Sequence, residues 1–78
     1  MIIGDKMAKL TLHEAIILVL KEKGPRLSTK DIADEINLRE LYEKKDKTKV
    51  KPEQIFLRCR SPTYRRMFNK VDKEFIEL

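Results

Sequence analysis

Seventy-eight residues make one small domain, near the size at which folding buries only about 60–65% of the chain's surface, so a deep catalytic cleft is not expected. With 41% apolar and 40% charged residues the chain has enough Ile, Leu and Phe to collapse, but it has no apolar run of the roughly 20 residues that span a bilayer, and no signal-peptide layout. One cysteine, Cys59, and one histidine, His13, exclude an internal disulfide and a Cys/His zinc set, so a soluble, intracellular protein without metal or cofactor is expected.

Met1 to Lys9 has neither period nor cap and is expected to be a flexible leader before one domain over residues 10–78. Thr11-Leu-His-Glu has capping-box spacing, in which Thr11 accepts from the Glu14 amide and Glu14 reaches back. Leu12, Ala15, Ile16, Val19 and Leu20 keep helical spacing, Ile17 and Leu18 widen the stripe, and Gly24-Pro25 ends it. A first helix over Leu12–Lys23 follows. Ser28 is the N-cap of a second helix, with Asp31 at N3 and Leu27 and Ile32 spaced as a hydrophobic staple. Ile32, Ala33 and Ile36 form its apolar stripe, which fades near Asn37, so the helix is expected over Thr29–Asn37.

Leu38 to Val50 reads as a connector. Leu41 and Tyr42 can return to the core, whereas Glu43 to Lys49 has no apolar anchor and is expected to be mobile; Val50 is expected to pair as a very short strand. Pro52 suits the first turn of a third helix, Ile55, Phe56 and Cys59 share its core side, and Ser61-Pro62 ends it, giving Pro52–Arg60. Phe68 to Val71 and Glu74 to Leu78 then predict two strands around Asp72-Lys73, with Ile76 and Leu78 on one face. The order helix, helix, connector, helix, hairpin is that of a winged helix-turn-helix, a mainly α fold of three helices with a small C-terminal wing.

The net charge of +5 is unevenly placed. Met1 to Glu43 holds 7 Lys or Arg against 8 Asp or Glu, and Lys44 to Leu78 holds 11 against 5, so the later half carries +6 and the earlier −1. Such asymmetry suits a polyanion, because each phosphate neutralised by a cation releases condensed counterions. In helix-turn-helix proteins the second helix of the motif enters the major groove. Here that is the third helix, with Glu53, Gln54, Leu57 and Arg58 outward and Arg58 the first choice for a base contact. Arg60, Arg65 and Arg66 around Ser61-Pro62-Thr63-Tyr64 suit phosphates, with Thr63 and Tyr64 adding hydroxyls and an aromatic plane. Lys70 and Lys73 at the wing turn, and Lys44, Lys45, Lys47, Lys49 and Lys51 in the connector, are expected to grip the backbone. Thr29 and Lys30 open the second helix, whose N-terminus can also receive a phosphate. His13 has no nucleophile or metal partner in the pattern and reads as a surface residue, Cys59 as a core filler, and Asp34 and Glu35 diverge around their helix. No catalytic set emerges, so an enzyme is not expected.

The run Thr11 to Leu20, the stretch Leu27 to Ile36, Leu41-Tyr42, and Phe68, Phe75 and Leu78 resemble the HARE-HTH family. That family is a winged helix-turn-helix module of bacterial restriction proteins, the delta subunit of bacterial RNA polymerase and eukaryotic chromatin regulators. The likeness covers residues 11–78, mostly core and capping positions. It implies association with double-stranded DNA, as a targeting or regulatory module in transcription or restriction, and a cytoplasmic site, at the nucleoid in a bacterium. The polymerase member implies the alternative, a protein-interaction module docking on RNA polymerase or a partner effector. No catalytic residue is carried over. The long lysine-rich connector departs from the shorter, Gly-containing turn expected of the family and leaves the angle between the second and third helices open.

Overall fold

The computed structural model describes residues 10–44 and 48–78. The leader Met1 to Lys9 and connector residues Lys45 to Lys47 lie outside the described residues. Helix α1 spans Leu12–Lys23 and opens on the expected capping box: the Thr11 N–H donates to the Glu14 carboxylate at 3.0 Å, and the Glu14 N–H to the Thr11 hydroxyl at 3.4 Å. Those two bonds hold the Glu14 carboxyl below the usual carboxylate range. The helix stops where the Gly24 N–H closes on the Leu20 carbonyl at 2.7 Å. A Cβ at Gly24 would lie 2.5 Å from the Leu20 oxygen and 2.9 Å from the Arg26 nitrogen, both backbone atoms that no rotamer can move. Gly24→Ala is therefore expected to cost about 1–3 kcal/mol of stability. An unchanged denaturation midpoint would show that this corner tolerates a side chain.

Three residues, Arg26–Ser28, form strand β1, where the sequence alone suggests only the approach to the second helix. Strand β2 is Lys70–Val71 and β3 is Phe75–Glu77, and the antiparallel sheet has the order β1-β3-β2. The expected hairpin is thus the outer part of a three-stranded sheet. Leu27, Ile76 and Val71 share a rung, and all three reach the core; Arg26, Glu77 and Lys70 share the next, facing the other side.

Helix α2, Thr29–Arg39, starts at Ser28, whose hydroxyl accepts from the Asp31 N–H at 3.0 Å. It runs two residues beyond the expected end and closes at Glu40 in the left-handed region, φ 55°, with the Leu41 N–H returning to the Ile36 carbonyl. Leu41 in turn accepts from the Leu10 N–H, so the connector does turn back onto the domain. Val50 is not in a strand. Its N–H donates to Asn37 Oδ1 and its carbonyl accepts from Asn37 Nδ2, each at 2.9 Å, so a side-chain amide makes the pairing that a strand would have made. Helix α3, Pro52–Arg60, follows directly.

Five residues of α1 meet Ile32, Ala33 and Ile36 of α2, Ile55 and Cys59 of α3, and Val50, Phe68 and Ile76 in one core. Burial pushes the Cys59 thiol up to about 12. Because this folded value lies above the unfolded one, the thiol's contribution to stability is intact below about pH 8.5 and is lost as the pH rises toward 12. A thiol reagent at pH 8 should leave folded protein unlabelled and label it fully in denaturant; rapid labelling of the native state would contradict this burial.

Candidate nucleic-acid interface

Helix α3 is preceded by Lys51, whose N–H donates to Gln54 Oε1 at 2.9 Å and whose carbonyl accepts from the Gln54 and Ile55 N–H groups. Gln54 is therefore half-buried and engaged at the helix start. With Ile55 and Cys59 buried, the side facing away from the core carries Glu53, Leu57 and Arg60, all exposed. Arg58 and Gln54 lie along one flank and Phe56 along the other. The outward base-facing position expected of Arg58 thus belongs to Leu57 and Arg60, because the core direction is set by Ile55 and Cys59 alone, while Phe56 is only half-buried.

Ser61 ends the helix, and its carbonyl accepts from the Tyr64 and Arg65 N–H groups at 2.9 and 2.8 Å. This turn places Tyr64 against α1. Its ring stacks on His13 with centroids 4.2 Å apart, and the Arg58 guanidinium stands 5.5 Å from the same ring. His13, expected as a plain surface residue, is half-buried in this stack, and its ring also lies 3.1 Å from the Thr11 hydroxyl. Arg58 and Tyr64 join Leu12, Tyr42, Gln54 and Leu57 around a groove of about 290 Å³.

On the other flank of α3 lies the wing turn. The Asp72 N–H donates to the Phe75 carbonyl at 2.9 Å and the Glu74 N–H to Asp72 Oδ1 at 3.0 Å. The turn is also fastened from α2: the Thr29 hydroxyl donates to the Lys73 carbonyl at 3.0 Å, and the Thr29 N–H to the Glu74 carbonyl at 2.9 Å. Thr29 is 4% exposed with both donors used, so it cannot take the phosphate expected of it; it positions Lys73 instead. Lys73, Phe56, Leu57 and Arg60 line a groove of about 490 Å³ together with Glu53, and the Arg60 guanidinium sits 5.7 Å from the Phe56 ring.

Arg65 and Arg66 begin a single 3₁₀ turn, Arg65–Met67, and share a third groove of about 600 Å³ with Pro62, Phe68 and Lys70. Lys70 faces Glu77 across the sheet, which tempers its charge. Thr63, Lys49 and Lys51 are exposed, Lys44 is half-buried near Tyr42, and Lys47 is outside the described residues. Lys30 forms an exposed pair with Asp34 at 3.2 Å on the outer side of α2. The structure therefore brings Leu57, Arg60 and Lys73 together, and separately Arg65, Arg66 and Lys70. It does not bring Thr29 or Lys30 into either set.

Charge pairing divides the molecule. Lys23, Lys30 and Arg39 are in ion pairs, and Glu22 and Glu35 converge on Arg39 and raise its pKa. Among the described residues no carboxylate lies within ion-pair distance of Lys49, Lys51, Arg58, Arg60, Arg65, Arg66, Lys70 or Lys73. The late cations stand exposed or packed on aromatic rings, and none is neutralised.

A family model, HARE-HTH, whose description names the helix-turn-helix domain of ASXL proteins and restriction endonucleases, matches residues 10–75. The chain belongs to the HARE-HTH family. Comparison with curated proteins and with solved structures gave no significant match. A HARE-HTH domain is a helix-turn-helix module, a class that points to DNA binding rather than catalysis. In this HARE-HTH domain, sequence reasoning misses the Asn37 clamp, the His13 stack and the place of Arg60 on the outward side of α3. Only Arg60 carries a signal, its spacing of three and seven residues from Leu57 and Glu53.

Proposed function

We propose that this HARE-HTH domain is a non-catalytic, double-stranded DNA-binding module, with α3 in the major groove and the wing turn and the Ser61 to Met67 segment on the flanking phosphates. A targeting or regulatory role in transcription or restriction fits such a module. The observation that carries this reading is the segregation of charge: carboxylates neutralise cations on the α1–α2 side, while those along α3, the following turn and the wing keep their full charge. Cations held apart from carboxylates are available to phosphates without first breaking an internal pair. No helix among the described residues is long and apolar enough to cross a membrane, and helix α1, despite its apolar stripe, belongs to the core.

The test is a titration of labelled duplex DNA at several salt concentrations. With about five phosphates contacted, the logarithm of the binding constant should fall with a slope near −4.5, a loss of roughly 10²–10³-fold between 50 and 200 mM salt. Binding that is undetectable in dilute buffer, or insensitive to salt, overturns this reading and leaves docking on RNA polymerase or a partner effector as the role of the same surface.

A further inference from the structure

Three side chains share the exposed stripe of α3, and their chemistries differ: Glu53 is an acceptor, Leu57 is apolar and Arg60 is a fork of donors. Leu57 is the central one. It is 49% exposed, lies opposite the buried Ile55 and Cys59, and lines both grooves that flank the helix. A single exposed leucine is ordinary on a protein surface. What sets this one apart is its setting, between an acid and an arginine on the very helix proposed to enter the major groove, with unneutralised cations on both flanks.

In the major groove these three chemistries correspond to three base edges. A carboxylate accepts from the cytosine amino group, an apolar tip covers the thymine C5-methyl, and an arginine bonds guanine O6 and N7. Leu57 and Arg60 are roughly 4.5 Å apart along the helix axis, close to one base-pair step of about 3.4 Å. The Arg60 side chain is braced on the Phe56 ring, 5.7 Å from its centroid, which limits the conformations it must give up on binding. We infer that this domain discriminates sequence through the Glu53, Leu57, Arg60 stripe, with Leu57 contacting a thymine methyl group next to the guanine taken by Arg60. This rests on the DNA-binding reading above and adds to it a base preference that phosphate contacts cannot supply.

Selection from a random duplex library should enrich sites with an adjacent thymine and guanine. In the enriched duplex, each thymine is then replaced in turn by deoxyuridine, which differs only in lacking the methyl group. At one position the wild-type domain should lose roughly 3–10-fold in affinity, the scale of one apolar contact in direct readout. Leu57→Ala should bind the thymine and uracil duplexes equally with an unchanged salt slope, and Leu57→Met, which keeps an apolar tip, should retain the preference. Circular dichroism checks that both variants are folded. Salt-dependent binding with no loss at any uracil, or a Leu57→Ala protein that still prefers thymine, overturns the Leu57 contact and leaves DNA binding standing; no binding to any duplex overturns both.

Discussion

Replacing Asn37 with alanine is expected to lower the unfolding free energy by about 2–3 kcal/mol, a large share of the roughly 5 kcal/mol that a domain of this size commands. Two 2.9 Å bonds join its amide to the backbone of Val50, and Val50 is 4% exposed, so their loss strands an N–H and a carbonyl where water reaches poorly. The melting temperature should fall by roughly 10–20 °C. The effect should also reach function, because Val50 immediately precedes the Lys51 cap of α3, and Asn37 is thereby the clamp that sets α3 against α2. A chemical denaturation curve decides the matter. A loss below about 0.5 kcal/mol, the scale of an ordinary surface substitution, would mean that the connector holds its path without the amide.

Exchanging Arg60, Arg65 and Arg66 together for alanine is expected to leave stability nearly unchanged and to abolish most DNA affinity. All three are exposed, and none has a carboxylate partner among the described residues, so the folded state loses little. Each phosphate contact removed should shift the salt slope toward zero by about 0.9, and the triple variant should bind roughly 10²–10³-fold more weakly at low salt. Lys30→Ala serves as the control, since Lys30 is paired with Asp34 outside this surface and its removal should leave the slope as it was. A triple variant with the wild-type slope would assign the phosphate contacts to other cations.

The three helices are legible because each announces itself locally. Thr11 with Glu14, Ser28 with Asp31, and Pro52 are caps whose geometry is decided within one turn, and the apolar spacing between them sets the buried faces. Strand β1 is not, since three residues carry no period and their partner, Phe75 to Glu77, lies almost at the other end of the chain. Asn37 escapes for the same reason: an asparagine near a helix end reads as a stop signal, and only the fold brings Val50 to its amide. In the interface the identity of the late cations is visible in the sequence but their aim is not. Ile55 and Cys59 point α3 so that Arg60, rather than Arg58, faces outward, and the Tyr64 ring that receives Arg58 is itself held by His13 from a distant helix. Thr29 shows the converse case, a residue placed well for an anion at a helix N-terminus whose donors the wing turn has already taken.

Backbone amide shifts recorded while a short duplex is added test the central claim most directly. Residues of the outward side of α3, the Ser61 to Met67 turn and the wing turn around Lys73 should move together and saturate at one stoichiometry, while Lys30, Asp34 and Arg39 on the ion-paired side stay still. Shifts concentrated on that ion-paired side, with Leu57, Arg60 and Lys73 unmoved, would contradict it.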